Sequence, residues 1–363
     1  MDGWNIRGSA LVLIRHGRIV KKDETMKKLL AIGEALIDFI PSESGRALKD
    51  VAAFAPAVGG APANVCGAFA KLGGRAAMIT QLGADPFGDK IEERLDAAGI
   101  DCGYIRRTEE ANTSLAFVAL QENGNREFSF YRKPGADMLL PAEEIKEEWF
   151  QDAFCLHFCS VSLGDFPMKE AHKKAIEYAL KNHALISFDP NIRLALWESP
   201  GALKKAVLEF LPMAHILKIS DEEVEFITGA KTIEEALPQL FTGNVQLIVY
   251  TQGPDGAQAY LRNGLSARTD GIQVKAVDTT GAGDGFIGAF LYRLYSYQAS
   301  RPSHQVSHQV GLQKSQEMAE TLFETLTTED LTGFFSYANR FSAYSVQKKG
   351  AIASYPTAQD MIE

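Results

Sequence analysis

A chain of 363 residues with 46% hydrophobic content is long enough for one large α/β core carrying a small appendage. Its 37 Lys and Arg against 46 Asp and Glu leave a net charge of -9, which argues against a nucleic-acid backbone or an anionic membrane as main partner and favours a small neutral ligand. No apolar run reaches the length of a membrane span, and four scattered cysteines (Cys66, Cys102, Cys155, Cys159) lack a secreted framework, so a cytoplasmic location is expected.

Residues 1–25 look foreign to the rest of the chain, because Met26-Lys27-Lys28 leads straight into an apolar run; they read as a leader or tag without order, ahead of a domain at 26–363. Strand-like runs are expected at 29–32, 76–81, 154–159, 184–188, 216–219 and 246–251, and helical patterns at 61–72, 87–98, 169–180 and 222–228. This alternation predicts a three-layer α/β/α arrangement around a mostly parallel sheet. Regions 36–57 and 103–132 break the rhythm; in the second, two β-like runs flank Glu122-Asn-Gly-Asn125, a tight-turn sequence, so both regions are expected to form a small β-sheet lid. Cys155-Leu-His-Phe-Cys159 alternates faces as a strand and has no second ligand cluster, so buried strand is preferred over metal. The Ser-, His- and Gln-rich stretch 300–314 reads as a polar surface insertion.

The sharpest chemical feature is Val277-Asp-Thr-Thr-Gly-Ala-Gly-Asp-Gly-Phe-Ile-Gly-Ala-Phe290. Apolar residues at 274, 276 and 277 suggest a strand, and 286, 287, 290, 291 and 294 recur at helical spacing, placing the glycines where a strand hands over to a helix. Helix N-terminal amides lack partners and carry partial positive charge, so Gly281, Ala282 and Gly283 suit a phosphate. Asp284 beside them makes sense as a base facing an alcohol, the arrangement that phosphoryl transfer asks for. Two other readings stand beside it. Asp284 can be an ordinary capping residue, and Gly283-Asp-Gly285-Phe-Ile-Gly288 satisfies a dinucleotide pattern, although no acid ends a strand about twenty residues later. Val58-Gly-Gly-Ala-Pro-Ala-Asn64 is a second glycine-rich helix start, in which Asn64 offers donor and acceptor to a polyol.

Together these two elements resemble the signatures of the PfkB, or ribokinase-like, carbohydrate kinases, over roughly residues 27–356, and Gly33-Glu-Ala-Leu-Ile-Asp-Phe-Ile-Pro41 resembles the opening of bacterial fructokinases. The resemblance implies an ATP-dependent transfer to a hydroxyl of fructose, giving fructose 6-phosphate, with another sugar such as 2-keto-3-deoxygluconate or ribose as rival and an NAD-dependent oxidoreductase as the reading from a different class. It implies Asp284 as catalytic base, an anion hole at Gly281, Ala282 and Gly283, and sugar contacts from Asp38, Gly59, Gly60, Asn64 and Arg132. Arg132 lies in Phe130-Tyr-Arg-Lys-Pro-Gly-Ala-Asp137, where Gly135 replaces the family's small polar residue. Arg193 of Asp189-Pro-Asn-Ile-Arg193 would orient phosphate. Lys218, Ser220, Glu223, Thr251, Gly253, Gly256, Gly283 and Asn339 would hold the nucleotide, with Glu223 reaching Mg²⁺ through water, although Ser220 departs from the family's Asn and a helix cap explains the same acids. Asp278 and Thr280, with the closing strand 348–354, mark a candidate K⁺ site. A homodimer through the lid is a further implication, with the sugar and ATP as the small-molecule partners.

Overall fold

Five segments buried almost end to end form the centre of one sheet: Lys28–Ile32, Ala153–Cys159, Leu185–Asp189, Ile216–Ser220 and Leu247–Thr251. Strands covered on both faces need no polar alternation, which is why they read as continuous apolar runs. The sheet order is Ser266–Thr269, Ala257–Leu261, Leu247–Thr251, Ile216–Ser220, Leu185–Asp189, Ala153–Cys159, Lys28–Ile32, Arg75–Gly83 and Ile100–Asp101, with Ile105–Thr108 also paired to Arg75–Gly83. Neighbours are parallel except for the two pairs made by Ala257–Leu261.

Alternate strand residues feed two cores. Leu29, Ala31 and Met78 pack with helices Ala61–Lys71, Ala282–Ser300 and Thr328–Ser345; Leu30, Ile32 and Phe158 pack on the other face with Pro167–Lys181, Pro200–Phe210 and Asp221–Thr228. The helices thus lie on both faces, as the α/β/α expectation requires. Ala61–Lys71 and Ala282–Ser300 approach closely because a side chain is missing at Gly288, where a Cβ would come 2.6 Å from the Ala68 methyl and 2.9 Å from the Val65 carbonyl oxygen. That contact matters for the site, since these two helices carry Asn64 and Asp284.

A second sheet orders Arg126–Tyr131, Leu115–Leu120, Leu36–Pro41 and Phe54–Gly59, the central pair parallel and the outer pairs antiparallel. Phe39 and Phe117 stack across it at 4.5 Å. Within 103–132, Ile105–Thr108 belongs to the large sheet instead.

The computed structural model describes residues 13–15, 18–20, 26–43, 45–120, 126–300 and 312–362. The turn expected at 122–125 and most of the 300–314 insertion lie outside the described residues, as does the leader, apart from an antiparallel pair, Leu13–Arg15 with Arg18–Val20. Two expectations are corrected. Residues 270–278 form no strand: Ile272, Val274 and Val277 are exposed, and the amides of Val277 and Asp278 donate to the Val346 carbonyl rather than to a sheet neighbour. The tail 348–354 runs in turns and bends rather than as a closing strand.

Candidate active site

Because the strands are parallel, their carboxyl ends share one rim of the sheet, the edge at which open α/β proteins bind ligands. Gly33, Asp189, Ser220 and Thr251 all stand at such ends. Facing them is the turn before Ala282–Ser300, where Gly281 adopts φ 72° and accepts the Gly285 amide at 2.8 Å, so it caps the helix. The Ala282 amide donates to Thr279 O at 3.2 Å, while Gly283 and Asp284 supply first-turn donors for which a helix has no internal acceptor.

Asp284 is buried, and each carboxylate oxygen is held by an amide from a different element. Asn64 Nδ2 donates to Oδ2 at 2.9 Å and Asn191 Nδ2 to Oδ1 at 3.4 Å. Burial raises its pKa, against the pull of the Asn64 hydrogen bond and of the Arg193 and Lys218 charges. A carboxylate pushed upward this way is a stronger base than a surface aspartate. Since Asn64 directs its amide hydrogens to Asp284, its orientation is set, and its buried Oδ1 has no partner among the described residues, which suits an alcohol donor.

Asp38 comes from Leu36–Pro41 of the small sheet and is half-buried beside Gly59, where a Cβ would sit 2.0 Å from its Oδ2. Burial first, and then the Asp284 charge, push it up to about 6, opposed by Arg193. Gly60, at φ 108°, begins Ala61–Lys71 and leaves no room for a side chain, with Glu34 O 2.4 Å from its Cβ position. Asp38, Gly59, Gly60, Asn64 and Asp284 are therefore gathered in one place from two strands of the small sheet and two helices. Arg193 is exposed, yet its charge reaches both Asp38 and Asp284.

On the phosphate side, Lys218 Nζ lies 3.0 Å from Asp189 Oδ2 and 3.5 Å from where a Cβ would stand on Gly283. Burial alone pulls the ammonium down, but Asp189, Glu223 and Asp284 carry it above the ordinary lysine value. Burial raises Asp189 in turn, and the short approach of Lys218 opposes it; the ionised pair is the state this geometry supports. Both oxygens of Glu223 accept backbone amides at 2.9 Å, from Ile192 and Ser220, tying the Asp189–Arg193 loop to the start of Asp221–Thr228.

Beyond Thr251, the loop with Gly253 and Gly256 borders a cleft of about 330 Å³ lined by Gln252, Pro254, Asp255, Arg268 and Asp270 among others. The cleft lies along this loop rather than at Asp284. Asn339 donates to the Asp270 carbonyl at 3.0 Å and so braces one wall. Asp278 accepts the Thr280 amide and hydroxyl at 2.9 and 2.7 Å and the Gly350 amide at 2.9 Å, joining the turn to the tail.

Arg132 is placed differently from a residue reaching over a substrate. Its guanidinium bonds Asp137, the Val161 carbonyl and Ser162 Oγ, and Ser162 donates on to Glu34 at 3.2 Å. Ser114 also bonds Asp137. This packing accounts for Gly135, where a Cβ would lie 1.9 Å from Ser114 Oγ and 2.9 Å from Arg132 Cγ. Glu34, buried and pushed up to about 7 by desolvation, also accepts the Ala61 amide at 3.1 Å. Asn191, Asp189 and Glu34 fall inside motifs visible in the sequence, but nothing in their spacing assigns them a role.

Residues 26–358 match the sequence model described as pfkB family carbohydrate kinase. The chain is 39% identical over 330 residues to probable fructokinase-2 of Arabidopsis thaliana, covering 91% of this chain and 93% of that protein. Among solved structures it is similar to a fructokinase with bound ATP from Xylella fastidiosa (TM-score 0.80, 30% identity, 92% and 97% of the two chains). It is also similar to a fructokinase double mutant from Vibrio cholerae O395 in fructose-, ADP- and potassium-bound form (TM-score 0.78, 30% identity, 94% and 99%).

Proposed function

The chain belongs to the pfkB family of carbohydrate kinases, and we propose that it transfers the terminal phosphoryl group of ATP to a hydroxyl of fructose, giving fructose 6-phosphate. The observation that carries this reading is the 2.9 Å contact between Asn64 and Asp284, which joins the two glycine-rich elements into one site. A sugar hydroxyl set between Asp38 and Asn64 would meet Asp284, which takes its proton, while the amides at the start of Ala282–Ser300 and the Lys218 charge face the migrating phosphoryl. The rest of the nucleotide would run past Glu223 toward the cleft beside 253–256.

The dinucleotide reading fails at its first requirement, because no strand precedes Gly283-Asp-Gly285. Between sugars, the Arg132 charge is already paired with buried Asp137, so it offers a sugar acid less than a free guanidinium would, which favours a neutral ketose. No group of three His, Cys, Asp or Glu able to hold a metal occurs among the described residues. A magnesium ion would then arrive on the nucleotide with its own waters, neutralising phosphate charge, and Glu223, with one backbone amide on each oxygen, retains lone pairs for those waters. Asp278 Oδ1 is bonded by Thr280 and Oδ2 by the Gly350 amide of the tail, and no step is assigned to a monovalent cation. The small sheet carrying Asp38 serves as the lid that keeps water from the phosphoryl group. Among the described residues no helix is long and apolar enough to cross a membrane.

Release of ADP from Mg-ATP across a panel of sugars tests the assignment: turnover should require sugar and be fastest with fructose, and equal rates without sugar would refute the kinase. Asp38→Ala should raise the fructose KM about 10- to 100-fold, the range for a lost hydrogen bond to a charged group; an unaltered KM removes Asp38 from the site. With Asp38 at about 6 and Asp284 also raised, both gain protons on acidification. Hence kcat/KM should fall as pH drops through about 6 and level off above it. A flat profile between about pH 5 and 8 contradicts both assignments.

A further inference from the structure

The turn that carries the anion hole rests on a side chain from the far end of the sequence. Tyr355, 4% exposed, donates its phenolic hydrogen to the Gly281 carbonyl oxygen at 2.7 Å, the same oxygen that accepts the Gly285 amide. Its ring packs on Phe341 at 5.3 Å between centroids, and its Cε1 would lie 3.1 Å from a Cβ on Gly285. At Gly281 a Cβ would come within 2.7 Å of the phenolic oxygen. Ser342, on the neighbouring helix, donates to the Ala282 carbonyl at 3.0 Å, so two hydroxyls grip consecutive peptides of the turn.

We propose that Tyr355 is a positioning residue for phosphoryl transfer, acting through the Gly281 peptide without touching substrate; the inference rests on the kinase reading. The peptide unit is planar, with its C=O and N–H pointing in opposite directions. A donor that fixes the oxygen therefore also fixes the plane holding the Ala282 amide. The Ala282 N–H of that plane donates to the Thr279 carbonyl at 3.2 Å, and because linked hydrogen bonds polarise one another, the Tyr355 bond tightens the turn through it. The same bond fixes the capping carbonyl, and with it the direction in which the Gly283 and Asp284 amides leave the helix. Such a contribution grows as negative charge develops on the transferred group, so it belongs to the transition state more than to ground-state binding.

The bland alternative is that the hydroxyl simply finds a partner because buried phenols need one. Tyr355→Phe keeps the ring and separates the two. Steady-state kinetics should show kcat lowered about tenfold, with the KM for fructose and for Mg-ATP changed less than about twofold, the pattern of an interaction realised in the transition state. Binding of fructose with Mg-ADP and aluminium fluoride, a mimic of the planar transferred group, should weaken by a similar factor. A lower melting temperature with unchanged kcat and unchanged aluminium fluoride affinity overturns the proposal. Tyr355→Leu supplies the second variant: if only Leu, and not Phe, lowers kcat, ring packing carries the effect and the proposal fails. Wild-type protein without sugar-dependent ADP release would overturn the kinase reading and this proposal together, whereas normal wild-type turnover with an unaffected Tyr355→Phe sinks the proposal alone.

Discussion

Asp284→Asn is expected to lower kcat about 10³-fold and to raise the melting temperature slightly. The first effect comes from removing a positioned base, worth about 10²- to 10⁴-fold. Asparagine keeps the shape but not the acceptor pattern: Asn64 and Asn191 both donate to the carboxylate, and an amide at this position must turn its own hydrogens on one of them. The second effect comes from linkage. The folded pKa of Asp284 lies above its ordinary value, chiefly through burial, so folding disfavours its charge. The native state binds more protons than the unfolded chain here, so the group lowers stability as pH rises past the unfolded pKa, and a neutral amide removes that cost. Inactive protein with an equal or higher melting temperature is the signature of a charge retained for chemistry rather than folding. Unchanged turnover would remove the base, and a marked loss of stability would make Asp284 a structural cap.

The parts of this arrangement that are legible in the sequence share a physical reason. Lys28–Ile32, Ile216–Ser220 and Leu247–Thr251 show as apolar runs because both of their faces are covered. Ala61–Lys71 shows because Gly60 and Pro62 mark its start. Pattern reading fails where apolar residues do other work. Val274 and Val277 imitate a strand but stand exposed on a segment without regular structure, so the glycine turn comes after coil. Pro200–Phe210 and Ile233–Leu240 are absent from the expected helices, the second with Pro238 inside it obscuring the helical period. Within the site, Asp284, Asn64 and Asp38 stand in recognisable motifs, but their partners are set by tertiary proximity. Tyr355 meets a carbonyl 74 positions earlier. Arg132 resembles a substrate contact in its motif, yet a local acid, Asp137, holds it. No spacing rule encodes such pairings; the residues around Gly135 in sequence give no sign that Ser114 already fills the space.

Lys218→Met should cost about 3–5 kcal/mol of stability at about pH 7.5, the usual consequence of removing one partner from a buried ion pair. Asp189 is 1% exposed, and Lys218 lies 3.2 Å from its Oδ1 and 3.0 Å from its Oδ2. Without the ammonium, Oδ1 keeps the Asn191 backbone amide at 3.1 Å, but Oδ2 has no hydrogen-bond partner among the described residues. The carboxylate would also face Glu223 and Asp284 uncompensated. It should then avoid its charge by holding a proton, so the folded pKa of Asp189 in the variant lies above the unfolded value of about 3.9. For a carboxyl raised in the folded state, the native form binds more protons between the two pKa values, and stability falls as pH rises through that window. Denaturant unfolding of Lys218→Met should accordingly show part of the loss recovered at about pH 5.5. Adding Asp189→Asn removes the stranded charge, so the double variant should be more stable than Lys218→Met alone at about pH 7.5. If the two losses simply add, or if acidification restores nothing, Lys218 and Asp189 are not energetically paired, and the cation beside Gly283 is held by some other group.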